Sequence, residues 1–266
     1  MVRGVIFETD SRLGFMTQEL KRDGMDVIRI RERGDLTKLQ EGMWDFVILP
    51  IRGTEDGTVE LMDGRADIRA FLQGLSGDTL LVSGVETDYE KRLPCRYVNF
   101  QKDRTVVREN SEYTAEGILY LMLRETPRSI REYSYDLLGD GNVGSAMHRM
   151  LERLGLPHRW IVKGGGEGKL ALEDWQGMIP SEVVINTIPA RVRHSCQFPA
   201  GRPGSFYILD ITSGGQGAGQ RVKENAHVHY VYAPPLPGLV APASAGHLLA
   251  ELLRRMVPEY RQEVGE

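Results

Sequence analysis

Cysteine is almost missing from this chain of 266 residues: Cys95 and Cys196 are the two present, too few for a disulfide framework or a thiolate metal set. Long apolar runs are missing as well. The longest, around residues 115–123 and 248–257, are broken by charge and fall short of the roughly 20 residues a membrane-spanning helix needs. At the N-terminus the apolar run beginning at Val5 is too short for a signal-peptide core, and no small-residue cleavage site follows; the expected location is cytoplasmic. Blocks of one charge are absent too. Lys and Arg number 33 against 37 Asp and Glu, a net charge of −4, which excludes a nucleic-acid or membrane-surface role carried by bulk charge. His227 and His229 share one face of an expected strand, but no third ligand stands at a suitable spacing, so no metal is expected.

What is present is alternation. Short apolar runs at 5–8, 27–30, 46–49, 80–82 and 98–100 are separated by polar segments, the pattern of strands in a parallel α/β sheet. Gly24, after a helical stretch over 15–23, fits a C-cap. A helix is expected over 112–124 with Ser111 as its N-cap, because Ile118, Leu119, Met122 and Leu123 recur at helical spacing. Pro127 follows its end. The alternation then resumes, with strands at 135–138, 160–163, 183–186, 207–210 and 228–232 and a last amphipathic helix at 244–256.

The sharpest local signal is Tyr135-Asp136-Leu137-Leu138-Gly139-Asp140-Gly141-Asn142-Val143-Gly144. An apolar strand runs into Gly-x-Gly-x-x-Gly, and a helical pattern through Met147, Met150, Leu151 and Leu154 follows, the context a dinucleotide fingerprint requires. Gly139 makes the tight turn, Gly141 lets backbone approach the pyrophosphate, and Gly144 lets helix and strand pack closely; the phosphates sit on the helix N-terminus. The alternative is a tight turn without a ligand. At the end of the next strand, where NAD enzymes place an acid, stands Lys163, which suits a 2′-phosphate; NADP is therefore expected, with NAD possible if Glu167 supplies the acid. Asn186-Thr187-Ile188-Pro189 and Asp210 end two further strands. They are candidates for the nicotinamide side, since ligands of doubly wound sheets lie at strand carboxyl ends, or else ordinary caps and turns.

Taken together, these residues resemble the A-subunit family of dipicolinate synthases. The likeness is carried by Asn110-Ser111 with Thr114, Glu116 and Gly117; by the glycine fingerprint; by Ile185-Asn186-Thr187-Ile188-Pro189 and Ile208-Leu209-Asp210; and by Leu236-Pro237-Gly238-Leu239-Val240-Ala241-Pro242 with Ala245-Gly246. Asp10-Ser11-Arg12, Ile48-Leu49-Pro50 and Ser83-Gly84 match at strand ends of the first half. Two stretches depart from the family pattern: Lys163-Gly164 stands where an Arg-Ser pair is frequent, and Ser213-Gly214-Gly215-Gln216-Gly217 where a Pro-Gly-Gly turn is.

The resemblance implies a two-domain α/β protein distantly related to 2-hydroxyacid dehydrogenases: a Rossmann domain over 110–242, and a flavodoxin-like catalytic domain over 1–109 completed by the C-terminal helix within 243–266. It implies oxidation of dihydrodipicolinate, formed from 4-hydroxytetrahydrodipicolinate, with hydride passing to NADP. It further implies partnership with a flavoprotein-like B subunit, an oligomer, and a mother-cell role during sporulation. A dicarboxylate substrate calls for arginine. Arg12 is the leading contact and Arg52 the second, with Ser83, Gly84, Asn110 and Ser111 beside them and Asp10 orienting Arg12 or taking a proton. The alternatives are another 2-hydroxyacid-type dehydrogenase, for which residues 234–244 lack the usual histidine and His247 is the nearest, and a non-catalytic nucleotide-binding subunit.

Overall fold

The structure, a computed structural model, describes residues 1–39, 43–188, 206–212, 220–233 and 235–257. Pro189, Cys196 and the Ser213–Gly217 loop lie outside the described residues. The chain divides into two compact units, Met1–Glu109 with Ala241–Glu266, and Asn110–Val240. No helix among the described residues is long and apolar enough to cross a membrane.

In chain order the first unit holds β1 (Arg3–Phe7), α1 (Ser11–Arg22), β2 (Asp26–Ile30), β3 (Phe46–Ile48), β4 (Thr58–Leu61), β5 (Gly64–Asp67), α2 (Arg69–Gln73), β6 (Leu80–Ser83) and β7 (Arg96–Asn99). Its five-stranded sheet, order β2-β1-β3-β6-β7, is parallel throughout. That is the flavodoxin-like order, whose direction of winding reverses between β1 and β3. Side chains alternate across it. Val5, Phe7, Val47, Leu49 and Leu81 pack against Val59, Leu61, Ala66 and Ile68 of the β4–β5 hairpin region. On the other face Ile48 and Val82 line a small apolar cavity with Leu13 and Met16 of α1. The antiparallel hairpin has no counterpart in the sequence pattern, which leaves that segment without an assignment.

Helix α3 (Arg104–Glu125) follows. It begins earlier than the sequence pattern indicates: Asp103, not Ser111, opens it, its carboxylate accepting from the Val106 N–H at 2.9 Å, the usual N-cap to N3 bond. Asn110 and Ser111 therefore lie inside a helix, where backbone N–H groups are already spent, and cannot offer N-terminal donors.

The second unit then runs through β8 (Tyr135–Leu138), α4 (Asn142–Arg153), β9 (His158–Val162), β10 (Leu170–Ala171), α5 (Leu172–Gln176), β11 (Val183–Asn186), β12 (Phe206–Asp210), α6 (Gln220–Lys223), β13 (Val228–Tyr232) and α7 (Leu236–Val240). Its six strands are parallel in the order β10-β9-β8-β11-β12-β13. Numbered within the unit this is 3-2-1-4-5-6, the Rossmann order, with its reversal between β8 and β11. Both faces are covered, so the central strands β8, β11 and β12 are buried on both sides. Tyr135, Leu137, Val183, Ile185 and Leu209 pack with Ile118, Met122, Met147 and Leu151, while Leu138, Val184 and Ile208 pack with Trp175 and Val222. Leu154 departs from the expected apolar stripe of α4 and is 41% exposed.

The last helix, α8 (Pro242–Met256), belongs to the first unit and packs on α1. Gly246 permits this: a Cβ there would lie 2.5 Å from the Arg12 carbonyl oxygen.

Candidate functional site

Gly139 leaves β8 at φ +105, a conformation open to glycine, and its N–H donates to the Ile161 carbonyl at 2.8 Å. A Cβ on Gly144 would sit 2.2 Å from the Gly139 carbonyl oxygen, so this glycine is a steric requirement of the turn. Gly141 differs: a Cβ there would meet nothing within 4 Å. Gly141 is the N-cap residue of α4, and no side-chain hydrogen bond caps the helix. First-turn N–H groups, the helix dipole and open space thus coincide at Asn142 and Val143, an arrangement able to hold an anion such as a diphosphate. Thr187 closes the crevice from β11, its N–H and hydroxyl both donating to the Leu138 carbonyl, at 2.9 and 2.7 Å.

Asp140 and the end of β9 form the flank of this loop. Lys163 follows β9 directly and is exposed. Lys169 carries a partnered positive charge, 3.2 Å from Asp140 Oδ2 and 4.1 Å from the centre of the Trp160 ring. Trp160 in turn donates its indole N–H to the Gly139 carbonyl at 2.9 Å, so the ring supports the glycine turn.

The two strand-end polar residues are buried and partnered. Asn186 donates to Asp210 Oδ1 at 3.3 Å and accepts from the Ile188 N–H at 3.2 Å. Asp210 also accepts from the Thr212 N–H and hydroxyl, at 3.2 and 2.7 Å, and from the Tyr230 hydroxyl. Burial, reinforced by the bond to Asp210, pushes the Tyr230 phenol up. Asn186 and Asp210 thereby hold residues just after β11 and β12, Ile188 and Thr212. Asp136, which the sequence pattern does not single out, does similar work inside the sheet. Fully buried, it takes Arg159 bidentately at 2.6 and 2.7 Å and accepts from Trp175 at 2.6 Å and from the Ser181 N–H and hydroxyl at 2.8 Å each. A lone aspartate within an apolar strand was the available signal.

In the first unit Asp10 caps α1 through the Arg12 N–H at 2.9 Å and grips the Arg12 guanidinium at Nε (2.7 Å) and Nη2 (2.8 Å). Burial works against ionising Asp10, but Arg12's hydrogen bonds, charge and backbone N–H outweigh it and hold the carboxyl below its ordinary value. Asp10 is thus an orienting carboxylate and a poor proton acceptor at neutral pH. The Arg12 side chain is buried, and its Nε and Nη2 are the nitrogens taken by Asp10. Arg52, after β3, is exposed and has no hydrogen bond or ion pair among the described residues.

Ser83 is committed internally. Its hydroxyl lies 2.6 Å from the Val85 carbonyl and 3.0 Å from the Tyr97 hydroxyl, and accepts from the Val85 N–H at 3.2 Å. Gly84 is required by packing, since a Cβ would fall 2.5 Å from the Ile51 carbonyl oxygen. Buried Glu90, likewise not singled out by the sequence, ties the loops after β3 and β6 together through Thr54 and Thr87. Asn110 and Ser111 sit in α3, with the Asn110 carbonyl accepting from Thr114 at 2.7 Å.

Two further histidines have carboxylate partners. His247, on α8, faces Glu19 of α1 at 2.9 Å in a surface network that includes Arg254 and Asp23. His229 faces Glu125 at 3.0 Å.

No protein-family model matches the chain. It is 25% identical over 243 residues to the A subunit of dipicolinate synthase of Bacillus subtilis (strain 168), covering 84% of this chain and 80% of that protein. Among solved structures, the A subunit of dipicolinate synthase from Bacillus halodurans aligns with a TM-score of 0.77 at 22% identity, covering 96% of this chain and 98% of that one. The cofactor (NAD+)-bound 3-phosphoglycerate dehydrogenase of Entamoeba histolytica aligns with a TM-score of 0.56 at 11% identity, covering 97% of each. The chain is a homologue of the A subunit of dipicolinate synthase, on a fold related to that of the 2-hydroxyacid dehydrogenases.

Proposed function

We propose that this chain is the catalytic A subunit of a dipicolinate synthase, oxidising a dihydrodipicolinate to dipicolinate with a nicotinamide dinucleotide. The observation that carries the nucleotide half is the Gly141 turn: an uncapped helix N-terminus with open space above it, at the reversal point of a 3-2-1-4-5-6 parallel sheet. The residues present fit the cofactor. Gly139, Asp140, Gly141, Asn142, Val143 and Gly144 would hold its diphosphate, and Thr187 and Ile188, backed by Asn186 and Asp210, would line the nicotinamide end. When bound, the cofactor accepts a hydride. Lys163, directly after β9, favours NADP, because a lysine at that strand end suits a 2′-phosphate better than a 2′-hydroxyl.

Aromatisation of the ring supplies much of the driving force, so the protein's main tasks are to bind and orient the substrate. Arg12, oriented by Asp10, offers the guanidinium nitrogen that Asp10 leaves over to one carboxylate, and exposed Arg52 is free to approach the other. The substrate gives up a hydride and a proton, and the proton leaves to solvent, since Asp10 is too acidic to retain it. Support for the substrate comes from the homology to the A subunit of dipicolinate synthase; the same homology suggests partnership with a B subunit.

The test is spectrophotometric. Mixing the chain, with and without its B subunit, with NADP or NAD and enzymatically generated hydroxytetrahydrodipicolinate should raise the reduced-nicotinamide and dipicolinate bands together. NADP should be the better acceptor. Silence with the B subunit present, while nucleotide binding is still measurable, would refute the substrate.

A further inference from the structure

A group of metal-ligand type lies on the flank of the second unit, distinct from the glycine turn. His148 and Glu152 stand four residues apart on α4, hence on one face and one turn apart, and His158 opens β9 beside them. One ligand atom from each of the three lies within 4.8 Å of the others. From these positions we propose that His148, Glu152 and His158 bind a single divalent transition-metal ion of the zinc class, with a fourth position left to water.

The ring orientations carry the argument. His158 Nδ1 lies 3.0 Å from the Leu156 carbonyl, and that acceptor fixes the proton on Nδ1 and the lone pair on Nε2. A backbone carbonyl holding the distal N–H is how proteins orient a ligating imidazole. The Nε2 lone pair is directed at His148 Nδ1, 2.8 Å away. His148 is itself held flat against Trp160, with ring centres 3.9 Å apart and planes at 19°. Its bond to His158 is made by one proton. Moving that proton to Nε2 of His148 leaves both imidazoles neutral and turns both facing nitrogens into donors of lone pairs. Two nitrogens on a tetrahedral zinc at about 2.0–2.1 Å stand about 3.4 Å apart, so the rings need to open by only about half an ångström.

Charge is consistent with this. Glu152 contributes the carboxylate of a His2Glu set, a recurring zinc constellation. The two nearby cations are already balanced, Arg149 by Glu112 and Lys169 by Asp140. The ion would pin the C-terminal half of α4 to the start of β9, across the short turn that joins them.

The experiment uses the full chain stripped with chelator and titrated with Co2+, followed by displacement with Zn2+. The expected result is a set of visible ligand-field bands of four-coordinate cobalt that saturate at one equivalent and bleach with zinc. Glu152→Gln, at an exposed position, should weaken uptake at least tenfold with the metal-free melting curve unchanged. His148→Gln and His158→Gln should abolish the bands. Absence of a saturable band in the wild-type chain, or a band that survives in Glu152→Gln and in both histidine variants, would overturn the proposal; the first outcome would leave the histidine pair as a hydrogen bond only.

Discussion

A methyl group on Gly144 would meet the Gly139 carbonyl oxygen at 2.2 Å, while one on Gly141 would meet nothing within 4 Å. The two glycines of one motif therefore fail differently. Gly144→Ala should destabilise the second unit by about 1–3 kcal/mol, the usual cost of overpacking, read from denaturant midpoints. Gly141→Ala should leave the midpoint unchanged and weaken dinucleotide binding about tenfold or more, read by titration; equal affinity in both proteins would remove the diphosphate from this turn. Asp10 offers a second residue-scale test. Its carboxyl is held below the ordinary value in the folded chain, so its contribution to stability is full above the unfolded value of about 3.9 and disappears as pH falls through the lower folded value. Asp10→Asn keeps a cap-competent side chain but loses that contribution. The stability gap between wild type and variant should be largest at neutral pH and close on acidification below about pH 4. Arg12→Lys keeps charge but loses the fork; the Michaelis constant for the dicarboxylate should rise about tenfold or more with nucleotide affinity unmoved. The glycine spacing was legible because each position answers to backbone sterics alone. Ser83 and Asp210 were not, because a polar letter at a strand end does not reveal whether its bonds go to a ligand or, as here, to Val85, Thr212 and Tyr230.

Between elements, legibility followed the source of the signal. Strands buried on both faces announce themselves as apolar runs, and β8 and β11 fall where the runs stand. The start of α3 was obscured because its first turns, Arg104 to Glu109, are polar and show little periodicity; Asp103 with Val106 was the local cue. The β4–β5 hairpin was hidden differently. Val59, Leu61, Ala66 and Ile68 do alternate with polar residues, but in runs too short to stand out, and their burial depends on the sheet that the rest of the chain builds. The contact of α8 with α1 is longer in range still, joining residues more than 200 positions apart. It hinges on Gly246, whose Cβ would press on the Arg12 carbonyl oxygen at 2.5 Å and the Met16 nitrogen at 3.0 Å. Gly246→Val should therefore cost about 1–3 kcal/mol and, by shifting the backbone that carries Arg12, weaken dicarboxylate binding as well. Thermal denaturation and titration report the two effects separately, and a stable variant with unchanged binding would show that the helices need no such approach.

At the scale of the whole chain, the two units carry different halves of the proposed chemistry, and each half can be observed alone. The Gly139–Gly144 turn belongs to the second unit, whereas Asp10, Arg12 and Arg52 belong to the first. A ligand stabilises what it binds by RT ln(1 + [L]/Kd), about 2.7 kcal/mol at a hundredfold excess over Kd. It does so first in the segments it touches, where local opening controls amide exchange. NADP alone should slow exchange at residues 139–146 and 187–188 and leave 9–13 untouched. Pyridine-2,6-dicarboxylate alone should do the reverse, protecting 9–13 and 50–54. The outcome discriminates because the uncapped turn at Gly141 and the Asp10–Arg12 pair are separately formed, each by bonds internal to its unit. Protection of 139–146 by the dicarboxylate alone would assign that anion to the glycine turn and remove Arg12 as its anchor.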